Sequence, residues 1–403
     1  MRAKLFALIA CLAFMPHAAE AYTYKVLHDF CSLRACSDGA VPGPLTWDMA
    51  GNLYGIARNR PQGGPGPLYK LVPNATHDKW RFISVYEFPD SVFSPIATLI
   101  FDTSGNIYGL LSDAGFPRGS GQLYELALDG VHHKRTFKEL EQFDHIPQSG
   151  LTYQGAAAGA PYDGVSPLYG SFVDRSDVGG VYQLATDGTN WTFGIIHSFC
   201  DHCADGVESG DLTDDGTGGL IGAAFGSLTK NVVFKLTKSG DEWDETLLPI
   251  YCKCYPAGPV TRDASGDLYV LAGKGRAHDC CGALYKIATD GTRSRPYKFC
   301  ALRNCRDGAD PVGRLLLDAA GTLFGATTDG GGHNGDRQNL GGGTIFAWDG
   351  TALQTLYRFC AKSFCRDGAY PVGGLIMDAD GNLFGTTQQG GLYDKGVVFE
   401  LSP

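Results

Sequence analysis

Residues 359–391 read FCAKSFCRDGAYPVGGLIMDADGNLFGTTQQGG, and residues 299–331 read FCALRNCRDGADPVGRLLLDAAGTLFGATTDGG. A chain that writes one sentence twice is built from repeats. The heart of this one is a turn of the form D-x-x-G-N-L-Y/F-G. It recurs as DMAGNLYG from Asp48, DTSGNIYG from Asp102, DGVSPLYG from Asp163, DGTGGLIG from Asp215 and DASGDLYV from Asp263. Two further copies are DAAGTLFG from Asp318 and DADGNLFG from Asp378. From Asp48 to Asp378 the mean spacing is about 55 residues, close to the period of a β-propeller blade.

Each unit offers four strands. An apolar run such as GGLIMD precedes the turn, where the Asp can bond its own backbone and the Gly takes a positive φ. NLFGTT follows, then a glycine-rich loop. The third strand reads LYKL, LYEL, VYQL, VFKL, LYKI, IFAW and VFEL in chain order. The fourth ends on an aromatic, as in WRFISVYEF from Trp80, WTFGIIHSF from Trp191 and LQTLYRF from Leu353. Six copies of this fourth strand follow third strands, and a seventh, YTYKVLHDF from Tyr22, stands near the N-terminus. The chain ends just after the third strand VFELSP. The expected fold is therefore all-β, a seven-bladed β-propeller in which the N-terminal strand completes the last blade and leaves few open sheet edges.

The stretch DGAYPVGGLIMDADGNLFGTTQQGG and the KGVVFEL after it resemble the GloVer-type tandem repeat of exported bacterial proteins. The likeness runs along residues 22–403, sharp in units one, six and seven and blurred in units three to five. It implies an exported repeat protein whose family motif carries no known chemistry. Members often add a surface-anchoring tail, whereas nothing follows Pro403 here, so release or periplasmic residence is the expectation.

The first 21 residues, MRAKLFALIACLAFMPHAAEA, have two early cations, an apolar stretch and a small-x-small end, the pattern of a secretory signal peptide cleaved after Ala21. Residues 22–403 then form one propeller domain, secreted or periplasmic. No later apolar run reaches the ~18 residues that span a bilayer. A net charge of −10 argues against nucleic acid as a partner, since no basic surplus exists to neutralise phosphates. We expect a monomer.

Twelve cysteines follow Cys11, an even number suited to disulfides in an oxidising compartment. Four pairs are local: Cys31 with Cys36, Cys200 with Cys203, Cys300 with Cys305, and Cys360 with Cys365. Cys252 and Cys254 are expected to cross-pair with Cys280 and Cys281, because pairing within CKC or CC closes very small rings. A metal site at CDHC, with His202 and optionally His197, is the competing reading for Cys200 and Cys203.

The chain contains no nucleophile elbow, zinc-protease helix motif, phosphate loop or long EF-hand. Asp-Gly pairs precede the first strand of four units, at Asp38, Asp205, Asp307 and Asp367. In a propeller this connection shares a face with the loop between strands two and three. The aspartates either cap their own turns or form an acidic ring for a cation or basic ligand group. Units six, seven and one become neighbours on closure. Asp38, Asp307 and Asp367, with His333, Asp336 and Arg337 of the glycine-rich loop of unit six, are thus the candidate ligand-binding residues. Calcium is the cation such a ring would take; no other cofactor is indicated.

Function is expected to be non-catalytic, a binding or scaffold propeller for an extracellular glycan, peptide or protein. The alternative is a polysaccharide-acting hydrolase or lyase with carboxylates of the channel mouth as acid and base.

Overall fold

The structure, a computed structural model, describes residues 22–60, 63–89, 94–96, 98–113, 119–129, 134–174, 178–199, 208–225, 231–250, 254–275, 282–332 and 341–403. For residues 208, 209, 225, 254, 274 and 275 it describes the backbone alone. Seven antiparallel sheets follow one another as blades of a β-propeller. The only helical segments among the described residues are four three-residue 3-10 turns.

Blade six shows the plan. Its strands run Ala309–Leu317, Leu323–Asp329, Thr344–Trp348 and Leu353–Arg358 from the axis outward, each hydrogen-bonded to the next. The turn joining the first two is built as the repeat requires. Asp318 Oδ1 accepts the N–H groups of Ala320 at 2.9 Å and Thr322 at 2.7 Å. Asp48, Asp102, Asp215, Asp263 and Asp378 each accept the equivalent pair, two and four residues on. A carboxylate that satisfies two otherwise orphan N–H groups fixes both turn shape and hairpin register.

Unit three departs from the plan. Thr152 pairs with Tyr169, so the first strand ends well before Asp163, and an inserted segment with the 3-10 turn Ala156–Ala158 fills the gap. That segment leans on blade four, where Asp214 accepts the N–H of Gly155 and Ala157. It also touches blade two, where Tyr162 O accepts the Thr103 N–H at 3.1 Å. The insert replaces repeat contacts with inter-blade ones, which is why the motif is blurred there.

Closure follows the expected route. Thr23–Asp29 pairs antiparallel with Val397–Ser402 of the last blade, in a register that sets Val26 opposite Phe399 and Lys25 opposite Glu400. Phe30, at the end of this strand, is fully buried with Leu45, Tyr69 and Leu71 of blade one and Phe384 and Val398 of blade seven. In every other blade the same position is also buried, as Phe88, Phe143, Phe199, Ile250, Phe299 and Phe359. These side chains plug the seams between blades. Near the axis the inner strands meet backbone to backbone: a Cβ on Gly313, whose φ is +77°, would lie 1.7 Å from the Gly373 carbonyl oxygen.

Candidate ligand-binding face

Among the described residues, three connections between blades carry paired cysteines, and all three fold alike. Each leaves the outer strand at a buried Phe, passes through a 3-10 turn and ends at Asp-Gly before the next inner strand. Disulfides join Cys31 to Cys36, Cys300 to Cys305 and Cys360 to Cys365, with Cα separations of 4.1, 4.0 and 4.0 Å. The backbone inside each loop is left-handed at a non-glycine residue, Ala35, Asn304 or Phe364, and at both cysteines. Such conformations cost energy unless the surroundings impose them.

The surroundings here are a disulfide and a carboxylate. Asp307 is buried; its Oδ2 accepts the Ala301 N–H at 2.8 Å and the Tyr297 hydroxyl at 2.7 Å, and its Oδ1 accepts the Leu302 N–H at 3.0 Å. Asp367 repeats this with Ala361 N–H at 2.9 Å, Tyr357 hydroxyl at 2.8 Å and Lys362 N–H at 3.1 Å. Asp38 accepts the Ser32 N–H and hydroxyl, both at 3.0 Å, and the Leu33 N–H at 3.3 Å, while His28 Nε2 lies 3.0 Å away in the place of the tyrosine. Each carboxylate therefore caps its own loop.

The electrostatics agree with these contacts. Burial by itself would raise the Asp38 carboxyl, but the hydrogen bonds from His28 and Ser32 outweigh it and hold the group below the ordinary aspartate range. Burial, then the bonded carboxylate, pushes the Tyr297 and Tyr357 phenols up, so both stay protonated donors. Tyr24, from the closing strand, stacks on Tyr357 with ring centroids 4.1 Å apart and donates its hydroxyl to the Asp367 carbonyl oxygen at 2.5 Å. Ring closure and loop shape are thus coupled.

The glycine-rich loops dock on the stapled ones. Gly331 donates its N–H to Cys305 O at 2.8 Å, and Gly391 to Cys365 O at 2.9 Å, which puts both loop types on one face. His333, Asp336 and Arg337 lie outside the described residues, as do Asp205, Cys200, His202, Cys203, Cys252, Cys280 and Cys281. Cys254 opens the first strand of blade five, with its backbone alone described. Among the described residues no three His, Cys, Asp or Glu side chains converge as metal ligands.

The tyrosine or histidine two residues before the buried Phe was not singled out from sequence. Its signal is the repeated Y/H-x-F-C preceding each stapled loop, at Tyr297, Tyr357 and His28.

Fold and face together define a seven-bladed propeller with one set of loops stiffened by disulfides. The family model described as the Gloeobacter/Verrucomicrobia repeat matches residues 262–403, in agreement with the resemblance read from the motif. No curated protein sequence matches the chain. Among solved structures, the chain is similar to a putative 6-phosphogluconolactonase from Bacteroides uniformis ATCC 8492, at 12% identity and a TM-score of 0.51, covering 86% of this chain and 89% of that one. It is also similar to a puromycin hydrolase S511A mutant, at 10% identity and a TM-score of 0.51, covering 87% of this chain and 50% of that one. At these identities the likeness is one of fold.

Proposed function

We propose that the protein is an exported, non-catalytic binding or scaffold propeller whose ligand meets the stapled-loop face of units six, seven and one. The observation that carries this is the construction of those loops. Three copies of one strained backbone are each held by a disulfide and a buried carboxylate, and pre-shaped loops bind with less ordering cost. Disulfides suit an oxidising compartment, in keeping with the signal-peptide pattern of residues 1–21.

On this reading Asp38, Asp307 and Asp367 are positioning residues, and His333, Asp336 and Arg337 of the neighbouring loop reach the ligand. A calcium ion at these three aspartates would have to displace loop N–H groups from their oxygens. The protein acts as a monomer, the ring having few free sheet edges.

The test is a joint screen of glycan and protein arrays, polysaccharide depolymerisation and calcium titration. It compares wild type with a variant carrying Asp38→Asn, Asp307→Asn and Asp367→Asn. Binding without turnover, weakened in the triple variant, is the expected result. Cleavage of any polymer would establish the hydrolase or lyase alternative instead.

A further inference from the structure

The three stapled loops share a backbone, and their exposed side chains follow a pattern. The loop of unit one presents Leu33, 45% exposed, beside Arg34. The loop of unit six presents Leu302, 53% exposed, beside Arg303 and Arg306. The loop of unit seven presents Phe364, 89% exposed, with Lys362 and Arg366 nearby. Each loop thus carries one bare apolar side chain and at least one exposed cation. Units one and six use the same two positions, Leu33 with Arg34 and Leu302 with Arg303, while unit seven places its apolar side chain two residues later, at Phe364.

Phe364 is the telling case. It sits at φ 60° and ψ 27°, where its sister loops hold Ala35 and Asn304. A bulky side chain is disfavoured in that left-handed region, whereas Asn tolerates it. Core packing does not explain the residue either, since the ring is almost wholly in water. Neither the backbone nor the interior calls for a phenylalanine there.

The glycine-rich loop docked beside Cys365 adds Leu392 and Tyr393, both exposed. Five of the eight exposed large hydrophobic residues among the described ones lie on this face of units six, seven and one. Arg34, Arg303 and Arg366 have no carboxylate partner among the described residues. Nearby acids are engaged by backbone: Asp29 accepts the Leu392 N–H at 2.7 Å and Asp394 the Gly390 N–H at 3.0 Å. Those two carboxylates keep their charge, but within the stapled loops themselves the exposed charged side chains are Arg34, Arg303, Arg306, Lys362 and Arg366, all cationic, on a chain of net charge −10.

We propose that this face docks on an anionic lipid surface, the loops inserting their apolar tips between headgroups while the arginines meet the phosphates. The proposal rests on the binding reading above and names its partner. Separate tips projecting from three rigid loops suit a fluid phase that accepts several small protrusions at once. Flanking cations give the electrostatic half of interfacial binding.

The test is flotation of the full mature chain with vesicles of phosphatidylcholine containing phosphatidylglycerol, at low and high salt, against phosphatidylcholine alone. The variants borrow residues from sister loops, so the fold is kept: Phe364→Asn copies Asn304, Arg303→Ser copies Ser363, and Arg366→Ser copies Ser37. Ile195→Asn, on the outer strand Trp191–Ser198 of blade three and 47% exposed, is the control. We expect salt-sensitive flotation with anionic vesicles only. Phe364→Asn should weaken it about tenfold, each lost arginine about fivefold, and Ile195→Asn not at all. No flotation at low salt, or flotation that Phe364→Asn leaves unchanged, overturns the proposal. Retention by a soluble acidic polysaccharide such as alginate without flotation also overturns it, while leaving the binding reading standing.

Discussion

Replacing Phe30 by alanine should destabilise the whole propeller as much as replacing Phe359. Both rings are fully buried in equivalent seams: Phe359 between blades six and seven, Phe30 between seven and one. Phe30 packs edge-on against Tyr69, with centroids 5.2 Å apart, and its N–H bonds to Gly396 O at 3.1 Å. Truncating such a ring costs about 3–5 kcal/mol through lost transfer energy and the cavity left behind. For a domain of this length the unfolding entropy is about 0.8 kcal/mol per kelvin, so Tm should fall by roughly 4–6 °C in either variant. Differential scanning calorimetry of Phe30→Ala, Phe359→Ala and wild type reads this directly. If Phe30→Ala melts like wild type while Phe359→Ala falls, the N-terminal strand is an appendage and the seam argument fails.

Other expectations follow from single contacts. Burial would raise the Asp215 carboxyl, but Lys235 Nζ at 2.8 Å and the bonds from Thr217 and Gly219 hold it down to about 2. Its folded value lies below the unfolded one, so it contributes at most about 2 kcal/mol above pH ~4, lost as pH falls towards 2. Denaturant titrations should show Asp215→Asn less stable at pH 7 and level with wild type at pH 2. The hydroxyls of Tyr69, Tyr124 and Tyr182 are buried without a hydrogen-bond partner among the described residues, and Phe234, Phe346 and Phe399 fill the same strand position in other blades. Changing any of these three tyrosines to Phe should be neutral or stabilise by up to about 1 kcal/mol, whereas Tyr357→Phe, which strips a bond from Asp367, should cost about 1–2 kcal/mol. Gly313→Ala must push apart two inner strands and should cost at least about 2 kcal/mol, while Gly51→Ala, with φ +78° and open space around it, should cost about 1 kcal/mol in chemical denaturation.

The blades were legible because their chemistry is local. An Asp that bonds N–H groups two and four residues on leaves its mark in eight letters, and so does the aromatic that ends each outer strand. The insert of unit three was not legible: Ala156–Ala158 has no repeat signature, and its partner Asp214 lies more than fifty residues away. The acidic positions of the face were visible as Asp-Gly pairs, but whether a carboxylate points to solvent or into its loop depends on the folded path of five residues. Sequence left both readings open for Asp307, and the structure sets it against Tyr297 and two backbone N–H groups. The apolar tips were missed because Leu33 and Leu302 share one letter of the repeat while Phe364 stands two letters later, where the sister loops hold Ala35 and Asn304; only the shared loop backbone reveals that all three stand in water.

Ring closure is what makes units six, seven and one neighbours, and native residues can report it. Lys25 Nζ lies 3.7 Å from Glu400 Oε2, across the joint between the first and last strands. Lys286 with Asp267 at 2.7 Å and Lys138 with Glu125 at 3.2 Å are comparable ion pairs within single blades. A zero-length carbodiimide should convert all three pairs to amides in dilute protein. Peptide mapping of the monomeric fraction should then recover the peptide containing residue 25 joined to the one containing residue 400. Recovery of the two control amides without the Lys25–Glu400 amide would contradict the closed ring.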